Sequence, residues 1–390
     1  MMDTRNIGLR NIEVADTKIS SIDGENGKLI YRGYDILGLV NNSTFEETAY
    51  LLLFGELPST EALRNFATRL REARGLPEPI IKCLQVRNRT ANPMDVLQSC
   101  VSELPDFDQN MQSDLKEDNM ERSIVLISKI PGIVAAWDRI RRGLEVVAPS
   151  DKGSHASNFL YMLRGETPKE EESKVFDTSL ILHAEHSFNA STFAAREIAS
   201  TRSHMYASIG GALGALSGEL HGGANVQVMK MLLEISEPDK AELWVRNKLD
   251  NGGRVMGMGH AVYKTTDPRA EVLATLSRIV SKQTGTRWFD ITERVEKETK
   301  RYMSEHQKHP IYPNVDLYSA SLYYGMGIPL DLNTPIFAIS RISGWCAHII
   351  EEKFAEAAPK PALYRPKALY VGRYCGPMGC EYIPINNRTA

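Results

Sequence analysis

The sequence lacks the features of a membrane, secreted or nucleic-acid-binding protein. None of its apolar runs approaches the ~20 residues that a membrane-spanning helix needs. Residues Met1 to Glu13 contain no apolar segment of the kind found in signal peptides. Lys and Arg total 46 against 49 Asp and Glu, and this net charge of −3 does not favour a dedicated nucleic-acid binder. We therefore expect a soluble cytoplasmic protein with no membrane or nucleic-acid partner.

Cysteine is also scarce. The 390 residues contain five cysteines, an odd number spread over the whole length. This pattern fits a reducing cytosol better than a disulfide framework. Cys375 and Cys380 lie close together, but one Cys-x4-Cys pair is a poor zinc signature. The sequence therefore predicts no disulfide framework and no metal site.

Helical patterns dominate what is present. Asp23-Gly24 lies between two strand-like segments and predicts a small N-terminal β-hairpin within residues 17–33. From Phe45 onward, capping residues, apolar spacing and terminal glycines predict a succession of helices, including single helices over 177–200 and 335–355. Apart from the hairpin, only 368–371 resembles a strand. The predicted fold class is mainly α.

The length of the chain and the positions of its glycines predict two domains. A chain of 390 residues exceeds the usual size of one domain. Residues 210–218 are rich in glycine and alanine, which suits either close helix packing or a hinge, and glycine recurs at Gly325 and Gly327. We predict a large helical domain formed by 1–218 and 325–390, with a smaller domain, 219–324, inserted into it.

The most informative run extends from Gly253 to Arg269. It places His260 directly after a Gly-x-Gly turn, and an Asp-Pro-Arg step follows. Glycine lets the backbone approach a ligand closely, histidine exchanges protons near neutral pH, and arginine captures carboxylates. A dinucleotide-binding fingerprint would need a third glycine where Val262 stands. The run therefore indicates an anionic small molecule that is held and protonated.

Three further segments carry candidate residues, each with a structural alternative. His221 precedes Gly222-Gly223 at the start of a predicted helix, and its alternative is a hydrogen-bonded turn. Asp316 follows the predicted N-cap Asn314, and its alternative is to complement the helix dipole. The pair His183 and His186 has no third ligand at metal spacing, so an anion contact is favoured over a metal.

Taken together, these segments resemble the citrate synthase family. The resemblance spans nearly the whole chain and rests on motifs in the family order: Leu-His-Gly-Gly-Ala-Asn, Gly-x-Gly-His-x-Val-Tyr, Asp-Pro-Arg and Pro-Asn-Val-Asp. It implies a two-domain, mainly helical fold with a small N-terminal β-hairpin, close to the shorter archaeal and Gram-positive type. It also implies a Claisen condensation of acetyl-CoA, oxaloacetate and water to citrate and CoA, an acyl transfer that needs no cofactor.

The resemblance assigns roles to individual residues. Asp316 resembles the base that removes a proton from the acetyl methyl group. His221 resembles the donor to the thioester oxygen, and His260 the donor to the oxaloacetate carbonyl. The oxaloacetate ligands are expected to be His186, Arg269, Arg341 and Arg365, with Arg365 acting across a homodimer. The CoA-binding residues are expected to be Val255, Met256, Gly257, Met258, Gly259, Ala261, Lys264 and Asn314.

Other functions remain open at this stage. A 2-methylcitrate synthase would use propionyl-CoA with the same catalytic residues, because one methylene is worth only about 1–3 kcal/mol of discrimination. An NAD-dependent oxidoreductase would need strands alternating with helices around residue 257. A non-catalytic helical protein of the same fold would not need His221, His260 and Asp316 together.

Overall fold

The computed structural model describes residues 8–9, 12–373 and 375–388. Among them it contains one small antiparallel sheet and sixteen α-helices, which confirms the mainly α prediction. The sheet has the order β1-β2-β3, with β1 Ser20–Asp23, β2 Lys28–Tyr31 and β3 Tyr34–Asp35. Ser20 pairs with Tyr31 and Asp23 with Lys28, so the hairpin is where the turn signal predicted it.

The helices follow one another along the chain, and the connection between α12 and α13, residues 251–267, is among the longest. Their bounds are α1 Ile36–Asn42, α2 Phe45–Phe54, α3 Thr60–Glu72, α4 Glu78–Val86, α5 Pro93–Glu103, α6 Lys116–Arg141, α7 His155–Arg164, α8 Glu170–His183, α9 Ala190–Ser200, α10 Met205–Leu216, α11 Ala224–Ile235, α12 Ala241–Asp250, α13 Pro268–Thr284, α14 Trp288–Glu305, α15 Val315–Gly325 and α16 Asn333–Lys353. In the described part of the chain, no helix is both long and apolar enough to cross a membrane.

The core is built around α16. This helix is buried along nearly its whole length and packs against α2, α5, α6, α8, α9, α10 and α11. Trp345 on α16 and Trp137 on α6 are the largest fully buried side chains. The later helices α11 to α15 pack largely against one another, through α11 with α15, α12 with α14, and α13 with α15. The assignment of 219–324 to a separate small domain stays a prediction.

Residues 210–216 are helical and form the second half of α10. α10 packs against α9 and α5. A β-carbon on Gly211 would lie 2.1 Å from Cδ1 of Ile198 on α9, and one on Gly214 would lie 2.8 Å from Nε2 of Gln98 on α5. The small residues of α10 thus let side chains of α9 and α5 pack close to its backbone.

Three expectations were wrong. The single helix over 177–200 is two helices, α8 and α9, separated by a loop that contains His186. Residues 368–371 are extended and exposed but pair with no strand of the described chain, because no partner edge lies beside them. Cys375 and Cys380 form a disulfide, with their Cα atoms 4.8 Å apart. The cause is a turn between them, in which the Gly379 N–H bonds the carbonyl oxygen of Gly376 at 3.0 Å.

Candidate functional site

His186 lies in the loop that separates α8 from α9. The loop forms because Ser187 takes a left-handed conformation, with φ of +50°, and Asn189 caps α9 by accepting the Thr192 N–H at 3.1 Å. His186 is 8% exposed, and its Nε2 lies 3.3 Å from the hydroxyl oxygen of Tyr263. Burial, followed by the charges of Arg269 and Arg341, lowers the pKa of His186. This imidazole is therefore neutral and beside two cations.

The Gly-x-Gly turn brings His260 next to the start of α15. Gly257 and Gly259 have φ values of +79° and +92°, which an ordinary residue rarely adopts. The Gly259 N–H donates to the Tyr312 carbonyl oxygen at 2.7 Å, and the Asn314 N–H donates to that of Gly257 at 2.9 Å. The turn lies between α12 and α13, with no strand leading into it, so the dinucleotide-binding alternative is wrong.

His260 has a defined proton position. Its Nδ1 accepts the backbone N–H of Val262 at 2.9 Å and that of Tyr263 at 3.2 Å. Burial, followed by the charge of Arg269, lowers its pKa to about 4. At neutral pH the ring is uncharged, and its one proton must be on Nε2 because Nδ1 is an acceptor. The ring lies 5.5 Å from that of His186, centroid to centroid, so Nε2 can donate to a ligand held beside both rings.

His221 has the opposite tautomer. It lies in the turn between α10 and α11, where its Nε2 accepts the backbone N–H of Ser191 at 3.3 Å and lies 2.8 Å from the Ser191 hydroxyl. Burial, followed by the charge of Arg341, lowers the pKa of His221 to about 4. The neutral ring therefore carries its proton on Nδ1, which is the donor that remains for a ligand.

Asp316 occupies the first turn of α15. Asn314 caps the helix, its Oδ1 accepting the Asp316 N–H at 2.9 Å, while its Nδ2 donates to the Gly259 carbonyl at 2.8 Å. Within the described chain, the Asp316 carboxylate makes no hydrogen bond or ion pair. Burial raises its pKa to about 6, although Arg269 and Arg341 oppose the shift. Asp316 therefore binds a proton more strongly than an exposed aspartate does.

Two buried arginines complete the cluster. Arg341 is 1% exposed and donates from Nε to the His183 carbonyl at 2.7 Å, with Phe337 stacked 4.5 Å from its guanidinium carbon. Burial lowers the pKa of Arg341 to about 10. Arg269 is 2% exposed and donates from Nε and Nη2 to Asp267 at 3.0 and 2.8 Å. In the described residues, both Nη groups of Arg341 and Nη1 of Arg269 bond no protein acceptor, so they can bind an anion.

The structure thus groups most of the residues that the sequence indicated. His186, His260, Asp316, Arg269 and Arg341 share one pocket, and His221 lies beside it close to Arg341. Ser191 and Tyr263 were missed as site residues. Tyr263 stands inside the quoted Gly-x-Gly-His-x-Val-Tyr motif, which could have indicated it. Ser191 carries no comparable signal, because its contact with His221 spans 30 residues.

Two predicted ligands lie outside the pocket of a single chain. Arg365 is exposed in the extended segment after α16 and makes no ion pair with the described residues. Lys264 is exposed and pairs with Glu25 at the tip of the hairpin. Among the other predicted CoA ligands, Val255 is buried, whereas Ala261 is exposed. Several main-chain groups of Gly257 and Gly259 are already bonded to residues 312–314.

Comparison with known proteins gives concordant matches along the chain. The family model described as "Citrate synthase, C-terminal domain" matches residues 8–367. Citrate synthase of Haloferax volcanii is 40% identical over 98% of this chain and 98% of that protein. 2-Methylcitrate synthase 1 of Corynebacterium glutamicum is also 40% identical, with the same coverage of both chains. The citrate synthase of Thermoplasma acidophilum, solved with carboxymethyl coenzyme A and oxaloacetate, has a TM-score of 0.89 at 31% identity over 98% of each chain.

Proposed function

This chain belongs to the citrate synthase family, and on that premise we propose how its own side chains perform the reaction. The enzyme condenses acetyl-CoA with oxaloacetate and water, giving citrate and CoA, and so transfers an acyl group. One observation carries the proposed roles. Among the described residues, Asp316 has a carboxylate without a partner, and it lies in a pocket with neutral histidines and with arginine N–H groups that bond no acceptor there.

The first step is removal of a proton from the acetyl methyl group by Asp316. A helix N-terminus by itself would lower the pKa of this carboxylate. Burial outweighs that effect and raises the pKa to about 6, which makes Asp316 a stronger base than an exposed aspartate. His221 donates its Nδ1 proton to the thioester oxygen as negative charge develops there. One such donor is worth about 10²–10³ in turnover.

The second step is attack of the resulting enol(ate) on the ketone carbon of oxaloacetate. His260 donates from Nε2 to the ketone oxygen, which draws electron density away from the carbon. His186, Arg269 and Arg341 bind the two carboxylates of oxaloacetate. The arginine donors are the N–H groups that Arg269 does not use on Asp267 and that Arg341 does not use on the His183 carbonyl. The thioester is then hydrolysed to release CoA. None of these steps needs a cofactor, since the CoA thioester is a substrate.

We propose further that CoA binds along a set of residues near the Gly-x-Gly turn and the start of α15, namely Val255, Met256, Gly257, Met258, Gly259, Ala261, Lys264 and Asn314.

We also propose that the enzyme is a cytoplasmic homodimer in which Arg365 reaches the partner's oxaloacetate. The support is the segment after α16, where Arg365 is exposed and large apolar side chains, Leu363, Tyr370, Val371 and Met378 among them, face water in the single chain. Sedimentation during turnover tests this proposal. An active monomer would contradict the role given to Arg365.

A second acyl substrate is the one alternative that a specific observation favours. The 2-methylcitrate synthase relative is as similar to this chain as the first citrate synthase relative, at 40% identity each. The test is a thiol-release assay that supplies oxaloacetate with acetyl-CoA and propionyl-CoA in turn. A higher kcat/KM for acetyl-CoA supports citrate synthesis as the main activity. A preference for propionyl-CoA would assign the chain to methylcitrate synthesis.

A further inference from the structure

The tip of the N-terminal hairpin lies directly on the segment that follows His260. The Lys264 N–H donates to the Gly24 carbonyl oxygen at 2.9 Å. A β-carbon on Gly24 would lie 2.3 Å from the carbonyl oxygen of Val262, whereas ordinary contacts begin at 3.4 Å. The φ of Gly24 lies outside the left-handed region, so the need for glycine here comes from this close approach and not from the turn.

The hairpin tip is held in shape by its own hydrogen bonds. Asp23 Oδ1 accepts the N–H of Glu25 at 3.1 Å and that of Asn26 at 3.0 Å, and the Asn26 side chain donates to Oδ2 at 2.7 Å. Gly27 adopts φ of +63°, and a β-carbon there would lie 2.8 Å from the Thr266 carbonyl oxygen. The tip therefore contacts the His260 segment at two points separated by a fixed turn.

The other end of the same hairpin holds the loop that carries His186. The Ser20 hydroxyl donates to Glu185 Oε1 at 2.9 Å and accepts the Ser187 N–H at 3.1 Å. The Tyr31 hydroxyl donates to the Glu185 carbonyl at 2.8 Å and lies 3.2 Å from the Glu185 nitrogen, which donates to it. His186 stands between Glu185 and Ser187. One small sheet is thus bonded to both neighbours of His186 and to the segment after His260.

We infer that the N-terminal hairpin sets the spacing between His186 and His260, and that Gly24 is a positioning residue for polarisation of the oxaloacetate ketone. This inference rests on the roles proposed above for the two histidines. The physical link is short. Val262, which Gly24 contacts, donates its N–H to His260 Nδ1 and so helps to orient the ring. Any displacement of Val262 moves that donor.

The decisive variant is Gly24→Ala, because the added methyl group meets a main-chain oxygen that cannot rotate away. Relieving the overlap requires a movement of about 1 Å, from 2.3 Å to 3.4 Å. A misplacement of this size at a reacting group costs roughly ten- to a hundredfold in rate. We expect kcat to fall by that factor and the KM for oxaloacetate to rise.

A spectroscopic readout separates positioning from general damage. The ketone carbon of [2-¹³C]oxaloacetate moves downfield in NMR when its oxygen accepts a strong hydrogen bond. We expect this shift in the wild-type complex and a smaller shift in Gly24→Ala. Gly38→Ala is the matched control, since Gly38 has ordinary φ and no atom lies within 4 Å of its β-carbon position. Its kinetics and its NMR shift should equal those of the wild type.

Each outcome decides between the inference and its premise. A wild-type shift that Gly24→Ala retains in full, with unchanged kcat, would overturn the inference and leave the role of His260 standing. No shift in the wild-type complex would instead refute that role. If Gly24→Ala does not fold, Asp23→Ala replaces it, because this variant loosens the tip without adding an atom. Asp23→Ala should show the same changes on a smaller scale, and wild-type behaviour in it would overturn the inference.

Discussion

Two groups of ionisable residues lie around α16, and they differ in how far their charged groups pair with one another in the described chain. The buried charge network consists of Glu185, Arg196, His348, Glu351 and Glu352. Arg196 pairs with Glu351 and Glu352 at 2.7 Å each, and His348 lies 3.0 Å from Glu185. The substrate pocket consists of His186, His260, Arg269, Asp316 and Arg341, with His221 beside it. There, the carboxylate of Asp316 and both Nη groups of Arg341 bond no partner among the described residues.

The difference separates charges that stabilise the fold from charges that await a ligand. Burying an ion is costly unless an opposite charge and hydrogen bonds offset the loss of water. In the network, Arg196 receives that compensation from two carboxylates. In the pocket this cost is seen as pKa shifts that favour the neutral forms: burial lowers the pKa of Arg341 to about 10 and raises that of Asp316 to about 6. A dicarboxylate and a thioester would supply the missing partners.

The largest expected effect is at Asp316. Asp316→Ala should lower kcat by about 10²–10⁴, the usual contribution of a general base. Oxaloacetate binding, measured by calorimetry, should stay near normal because the base contacts the acyl substrate. Asp290→Ala is the matched control, since Asp290 also lies in the first turn of a helix, α14, but is exposed and is not one of the pocket residues. If Asp316→Ala turned over as fast as the control, Asp316 would not be the base, and its only role would be to complement the dipole of α15.

Arg196→Leu tests the network side of the comparison. Removing one partner of a buried ion pair leaves uncompensated carboxylates and costs about 3–5 kcal/mol. We expect the free energy of unfolding in urea to fall by that amount. The KM for oxaloacetate should change little in the folded fraction. Unchanged stability would mean that Glu351 and Glu352 do not depend on Arg196, and the contrast with the pocket would fail.

Arg341→Leu is the reciprocal test in the pocket. A hydrogen bond to a charged group contributes about 1.5–3 kcal/mol, so the KM for oxaloacetate should rise by about 10- to 100-fold. The free energy of unfolding should fall less than in Arg196→Leu, because Arg341 forms no ion pair with the described residues and loses only its bond to the His183 carbonyl. Steady-state kinetics and urea unfolding of the two leucine variants, measured side by side, give the comparison. A large loss of stability with unchanged KM in Arg341→Leu would place it in the network instead.

Sequence patterns predicted those features of the fold and the pocket that depend on residues close together in the chain. Cap residues and apolar spacing located most helices, and contiguous motifs located His221, His260 and Asp316. The loop at His186 was missed because apolar residues continue at helical spacing from α8 into α9, while the left-handed Ser187 interrupts the backbone. The tautomers of His221 and His260 were also beyond prediction. They depend on contacts such as Ser191 with His221, made only after folding.

The pH dependence of turnover sharpens the account of Asp316. A base must be ionised to act, and its pKa is about 6. We therefore expect kcat/KM for acetyl-CoA to fall about tenfold per pH unit below pH 6. Protonation of His221 and His260, whose pKa values are about 4, would add a second decline only at lower pH. A pH–rate profile that is flat down to pH 5, with unfolding monitored in parallel, would contradict the raised pKa of the base.

The smallest expected effect concerns Asp177, a carboxyl group away from the pocket whose pKa is also raised. Burial, followed by the nearby Glu46, raises the pKa of Asp177 from 3.8 to about 7. The folded state therefore holds a proton that the unfolded chain releases, so stability falls as pH rises from about 4 to about 7. Asp177→Asn keeps an oxygen for the Phe45 N–H, which Asp177 Oδ2 accepts at 3.1 Å, but carries no charge.

We expect Asp177→Asn to raise the free energy of unfolding by about 1–2 kcal/mol at pH 8 and to have no effect near pH 3.5, after allowance for partial exposure. Asp138→Asn is the matched control. Asp138 is also buried, but it pairs with Arg141 and Arg142 at 2.8 and 2.9 Å, so the same substitution there should destabilise the fold. Urea unfolding at the two pH values measures both. If Asp177→Asn destabilised the protein at pH 8 as Asp138→Asn does, the charged form of Asp177 would be stabilised by its surroundings. Its pKa would then not be raised, and Asp316 would be the carboxylate with a raised pKa.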